Sequence, residues 1–178
     1  MPIADLKIDN FKAKLVGGGA RSNLFRVIIN FPSYAQGDVE LASYMAKSAS
    51  FPPSTTEAID VPFRGRQIPL EGDRTFPPIT ITFINDLTHP VRDAFVRWKN
   101  QMSNHSGNIG LSNPADYMVD FKVEQLSKDG NVTATYDIRS GWPLSVGEIE
   151  VSFENNNTVE EFPVEFRYLY WTKNGVAG

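Results

Sequence analysis

The chain has 178 residues, a length suited to one domain with extended arms, and 41% of them are apolar and 12% aromatic, enough for a packed core. Its formal net charge of -4 argues against a protein held to nucleic acid by phosphate contacts, though it is compatible with an acidic surface past which DNA slides. Cysteine is absent, which removes disulfides and thiolate metal sites, and neither a secretory signal nor an apolar run of membrane-spanning length is visible, so the expectation is a soluble protein of a reducing cytoplasm.

Residues 1–22 are mixed in character and reach the triplet Gly17-Gly18-Gly19, which holds regular structure poorly; they read as a mobile N-terminal arm with a hinge. A phosphate cradle at these glycines would need a strand before and a helix after them, and neither is predicted. Next, Phe25, Val27, Ile29 and Phe31 recur at period two and predict a strand. The stretch PSYAQGDVE reads as loop, and LASYMAKSASFP fits either a strand or a short helix ended by Pro52-Pro53.

Two alternating runs follow, Ile59/Val61/Phe63 and Ile68/Leu70, joined by Arg64-Gly65-Arg66. They predict a hairpin, and Pro62 and Pro69 within its arms place it at an exposed edge. Such a protruding hairpin needs a partner surface to pack on. The segment Glu71-Gly72-Asp73-Arg74-Thr75 reads as a rigid elbow leading into the strand of Ile79, Ile81 and Phe83. In THPVRDAFVRWKNQM, Pro90 suits a first helical turn, and Val91, Phe95, Trp98 and Met102 form one apolar stripe, the pattern of a helix packed on a sheet.

After the loop SNHSGNIGLSNPAD the pattern is strand after strand. YMVDFKVEQL sets Val119, Phe121 and Val123 against Asp120, Lys122 and Glu124; Asp129-Gly130 marks a hairpin turn; VTATYDIRSGW alternates again, with Asp137 on its polar side. GEIEVSFE predicts a strand with Ile149, Val151 and Phe153 opposite Glu148, Glu150 and Glu154, Asn155-Asn156-Asn157 a turn, and VEEFPVEFRYLYW a closing strand. The fold class that results is mainly β: an antiparallel sandwich or barrel with one flanking α-helix and an extended hairpin arm.

Catalytic patterns are lacking. His89 at the helix entry and His105 in a loop have no ligand partner at metal-helix spacing, and no Gly-x-Ser-x-Gly elbow occurs. Three Asn-x-Ser/Thr triplets, starting at Asn104, Asn131 and Asn156, read as chance in the absence of a secretory route. The carboxylates Glu148, Glu150 and Glu154 line an open strand face, which offers neither the concavity nor the unequal environments of an acid/base pair; a solvated face or the wall of an acidic channel both fit.

The order of these motifs resembles a known family. The proline-marked hairpin, GDRTF, the strand ending FIND, the helix HPVRDAFVRWKNQM and the late GWPLSVGEIEVSFENNNTVEEFPVEFRYLYW together are similar to the tail tube proteins of contractile-tailed bacteriophages, the T4-like tube family, from about Asn23 to Trp171. The resemblance implies a tube-fold β-sandwich domain over 23–171, with a hairpin arm over 55–71 and a helix over 89–102, between an arm over 1–22 and a tail over 172–178. It implies a non-enzymatic protomer without cofactors or metals. Six copies form a ring, and rings stack into a tube inside a contractile sheath, with a baseplate initiator and a tail terminator at the ends. DNA transits the channel without specific binding, no membrane is involved, and the protein resides in the virion tail after assembly in the host bacterial cytoplasm. On that reading Arg64, Arg66, Glu71, Asp73 and Arg74 are candidates for inter-subunit ion pairs, although Asp73 and Arg74 equally suit a local turn. Asp120, Glu124, Asp137, Glu148 and Glu150 are candidates for lining a phosphate-repelling bore. Two alternatives are the tube of a bacterial injection system or tailocin, and a small β-sandwich hydrolase or carbohydrate-binding module using Tyr34, Tyr44 and Trp142.

Overall fold

The structure, a computed structural model, describes residues 7–154 and 156–176. In chain order its elements are α1 (Ile8–Lys14), β1 (Phe25–Ile29), α2 (Val39–Met45), β2 (Ala46–Ala49), β3 (Thr55–Phe63), β4 (Arg66–Thr75), β5 (Ile79–Ile84), α3 (Pro90–Met102), α4 (Pro114–Tyr117), β6 (Val119–Leu126), β7 (Val132–Val146), β8 (Glu161–Arg167) and β9 (Tyr170–Lys173). Residues 1–6 of the predicted arm, Asn155 of the predicted turn and 177–178 of the predicted tail lie outside the described residues.

One seven-stranded antiparallel sheet carries the fold, in the order β1-β6-β7-β8-β5-β2, with β9 added alongside β7. Its apolar face follows from the period-two pattern. Val27 and Ile29 pair with Val123 and Phe121, and Ile79, Ile81 and Phe83 pair with Phe166, Val164 and Phe162; all ten are buried. The end strands β1 and β2 approach one another, so the sheet curls toward a barrel.

The curl is made by β7. Val119 pairs with Gly141 and Phe121 with Ile138, which leaves Arg139 and Ser140 both opposite Asp120, a bulge. Ser140 takes a positive φ of 53° there. Before the bulge β7 pairs with β6 and β9; after it, beyond the Val119–Gly141 pair, it pairs with β8.

The helix α3 closes the open side of the curl. Val91, Ala94, Phe95 and Trp98 are buried, and the Phe95 ring lies 5.2 Å from Phe83 and 5.7 Å from Phe166. The Trp98 indole N–H donates to the Tyr117 carbonyl at 2.9 Å, so its one polar atom is satisfied inside the core.

Several expectations need correction. Three short helices join α3. α1 lies within the segment read as a mobile arm. α2 begins inside the stretch read as loop, because the Asp38 carboxylate accepts from the Glu40 and Leu41 amides at 2.9 and 3.1 Å and caps it; LASYMAKSA is then helix to Met45 and strand from Ala46. Glu71–Thr75 is no elbow. It is the base of β4, paired with β3 through a bulge in which Gly72 and Asp73 oppose Glu57. The strand predicted for GEIEVSFE is a loop: residues 148–154 and 156–159, between β7 and β8, belong to no strand, and Val151 and Phe153 are exposed. Alternation alone does not make a strand where no neighbour accepts its hydrogen bonds.

Candidate assembly surfaces

Among the described residues β3 and β4 pair only with each other. Arg64 and Gly65 both take positive φ, 45° and 81°, as a two-residue type I′ turn requires, and strands of nine and ten residues extend the hairpin by roughly 30 Å. Register puts Ile59 opposite Leu70, Val61 opposite Ile68 and Phe63 opposite Arg66, so these side chains share one face. The reverse face carries Ala58, Asp60, Pro62, Gln67, Pro69 and Glu71. The apolar face is uncovered: Ile59 is 55% exposed, Phe63 58% and Leu70 53%. A lone two-stranded hairpin is marginal in water, so this one depends on what covers it.

The root of the hairpin is clamped. Tyr168 is buried, its hydroxyl donating to the Pro77 carbonyl at 2.7 Å and lying 3.5 Å from that of Pro53, and the Trp171 indole N–H donates to the Pro53 carbonyl at 3.0 Å. Pro53 precedes β3 and Pro77 follows β4, so the two aromatic residues hold both legs of the arm. Burial pushes the Tyr168 phenol up to about 12. Sequence reasoning missed this clamp; the matched pairs Pro52-Pro53 and Pro77-Pro78 flanking the hairpin were the available signal. Beside the root lies a cleft bordered by Arg74, Phe76, Trp142 and Arg167.

Arg64, Arg66, Glu71, Asp73 and Arg74 all sit on this arm, at its turn, on its apolar face beside Phe63, on its polar face, in its bulge and at its base. They are exposed and form no ion pair among the described residues. The Arg64 guanidinium stacks over the Phe63 ring, 5.4 Å from its centroid.

Of the five channel candidates, Asp120, Glu124 and Asp137 come together on the outer face of β6 and β7, where bases stand between them. Arg26 holds Glu124 at 2.6 Å, Arg139 holds Asp120 at 2.6 Å, and Lys122 is the cross-strand partner of Asp137. Glu124 is itself nearly buried, at 7%. The Ser140 amide, at 2.9 Å, is the main cause that lowers the Asp120 carboxyl below its ordinary value, with Arg139 adding to it. Glu148 and Glu150 lie apart from these three, in the 147–160 loop. The aromatic residues Tyr34, Tyr44 and Trp142 do not share a face: Tyr34 follows β1, Tyr44 protrudes from α2, and Trp142 packs edge-on against Tyr117.

A long amphipathic arm on a clamped root and, among the described residues, a curled sheet with open edge strands are features of a chain that assembles. The model of the phage tail tube protein family matches residues 20–174. This chain belongs to that family. It is 33% identical over 156 residues to the tail tube protein gp19 of Enterobacteria phage T4, covering 87% of this chain and 92% of that one. It is 28% identical over 166 residues to the tail tube protein of Serratia phage KSP90, covering 91% and 94%. Its fold is that of a chain in the six-fold symmetrised anti-feeding prophage baseplate, with a TM-score of 0.66 at 14% identity over 88% of this chain and 96% of that one. A chain in the extended sheath–tube complex of the PVC extracellular contractile injection system gives 0.64 at 13% identity over 93% and 97%. As a tail tube family member the chain bears out the resemblance read from its motif order, and the family match begins at residue 20, beyond α1.

Proposed function

We propose that six copies of this chain close into a ring, that rings stack into the inner tube of a contractile phage tail, and that DNA passes through the bore. The observation that carries this reading is the uncovered apolar face of the β3–β4 arm in a chain of the tail tube family. Laying that face on a neighbouring copy removes Ile59, Val61, Phe63, Ile68 and Leu70 from water, on the order of 1 kcal/mol per side chain before ordering costs. Arg64, Arg66, Glu71, Asp73 and Arg74 then fix direction and register by ion pairs across the contact. The role is structural and non-enzymatic, exercised in the virion tail after assembly in the bacterial cytoplasm. Its partners are a sheath, a baseplate initiator and a tail terminator.

For the bore we favour the outer face of β6 and β7. Every base there stands against an acid, so the face offers phosphates no free guanidinium and repels no assembly partner strongly. DNA slides over such a wall without adhering. The tube of an injection system is the second reading, since chains of those assemblies share the fold. Identity of 33% to a phage tube protein against 13% to 14% for those chains favours the phage tail.

Negative-stain electron microscopy across a concentration series, with light scattering on the same samples, tests the proposal. Hollow tubes or rings of uniform width are the expected result. A protein that stays monomeric at every concentration, even when seeded with preformed baseplates, sinks it.

A further inference from the structure

The tube reading leaves two surfaces of the chain without a task. The first is α1. Ile8, Phe11 and Leu15 fall at spacings of three and four, one helical stripe, and are 70%, 65% and 43% exposed. None of the helix is buried, and seven residues are too few to hold a helix alone in water. Beside the stripe stand Lys7, Lys12 and Lys14, against one acid among residues 7–15, Asp9. Among the described residues the helix packs chiefly on the turn that follows it, and Gly17, Gly18 and Gly19 all take positive φ, so the link to the body is a glycine swivel.

The second is the 147–160 loop. Its root is firmly built: the Gly147 amide donates to the Pro163 carbonyl at 2.7 Å, Arg92 donates to the Gly147 carbonyl at 2.9 Å, and the Asn85 amide and side chain donate to the Glu160 carbonyl and carboxylate at 2.8 and 3.1 Å. Beyond that root, Val151, Phe153 and Val159 are exposed, Phe153 fully so. A cleft runs between the two limbs, lined by Glu150, Val151 and Ser152 on one side and Thr158, Val159 and Glu160 on the other. The segment holds Glu148, Glu150, Glu154 and Glu160 and no lysine or arginine.

We propose that α1 of one copy docks on the 147–160 loop of a neighbouring copy. Apolar stripe meets apolar cleft, Ile8, Phe11 and Leu15 against Val151, Phe153 and Val159, and the basic rim of the helix meets the acidic rim of the loop. The occupant is a second copy of this chain because the same chain carries both complementary surfaces uncovered, and the glycine swivel lets the helix leave its own body. The contact is separate from the hairpin arm but rests on the tube reading, which supplies the neighbouring copy.

The chain has no cysteine, so introduced ones report unambiguously. Phe11→Cys and Phe153→Cys, made in separate full-length chains, are mixed, assembled and oxidised. A disulfide-linked dimer in the mixture, well above either variant alone, is expected, and only contact between copies can produce it. In parallel, Lys12→Glu with Lys14→Glu, or Glu150→Lys with Glu154→Lys, raises the concentration needed for assembly roughly two- to fivefold. Combining the two sets restores it. Tubes of cysteine-free protein together with no excess dimer and no effect of charge reversal overturn this contact and leave the tube reading standing. Absence of rings or tubes from the unmodified chain, seeded or not, overturns the tube reading and this contact with it.

Discussion

Asp120 receives the Ser140 amide and the Arg139 guanidinium at the bulge of β7, where the sheet changes direction. Replacing it with alanine exchanges both hydrogen bonds for water, and a loss of about 1 kcal/mol is expected in urea unfolding. Its lowered pKa also gives a sign to pH dependence. The carboxylate stabilises the fold fully above the ordinary value of 3.8, and the contribution disappears as pH falls from there through the lower folded value, so Asp120→Ala narrows the acid sensitivity of the melting temperature. Tyr168 behaves in the opposite sense. Its raised pKa means that its contribution is complete below pH 10 and is lost as pH rises through about 12. Ultraviolet phenolate titration should show one of the six tyrosines ionising last, and Tyr168→Phe should remove that phase. Both residues looked ordinary in the sequence. Asp120 alternates like any outward strand residue, and nothing local reveals that two residues of another strand oppose it.

At the scale of elements, the arm and the loop separate what a sequence discloses from what it hides. The hairpin was legible because its alternation, its Arg-Gly turn and its prolines agree, and each is a local property. The loop carries the same alternation, Ile149, Val151, Phe153, yet forms no strand, since pairing depends on a neighbour that the pattern does not encode. The aromatic residues Tyr168 and Trp171 were read as part of a closing strand, while their partners Pro53 and Pro77 lie about a hundred residues earlier in the chain. The arm yields a clean separation of stability from assembly. Leu70→Asp replaces a side chain that touches mainly water in the monomer, so unfolding free energy should change by less than about 0.5 kcal/mol. The same variant should give no tubes under conditions where the unmodified protein does. A large drop in monomer stability would mean that the arm packs on its own chain.

For the whole molecule, the sheet order and the helix that plugs it follow from apolar periodicity, and the mainly β architecture was foreseeable on that ground. The charge layout of the β6–β7 face was not, because acids and bases that look scattered in sequence become neighbours only through register. That layout predicts how the assembled tube treats DNA. Asp120→Asn combined with Glu124→Gln releases Arg139 and Arg26, so tubes of this variant should retain DNA that unmodified tubes release, and the retention should weaken steeply with added salt. Equal release by both would show that this face does not meet the DNA.

β7 runs for fifteen residues, roughly 50 Å, across both limbs of the sheet. A push delivered to the limb paired with β6 and β9 therefore reaches the limb paired with β8 along covalent bonds, with hydrogen bonds bearing only the sideways share. The two limbs are joined by one continuous backbone, and they cannot part at the bulge unless β7 itself unfolds.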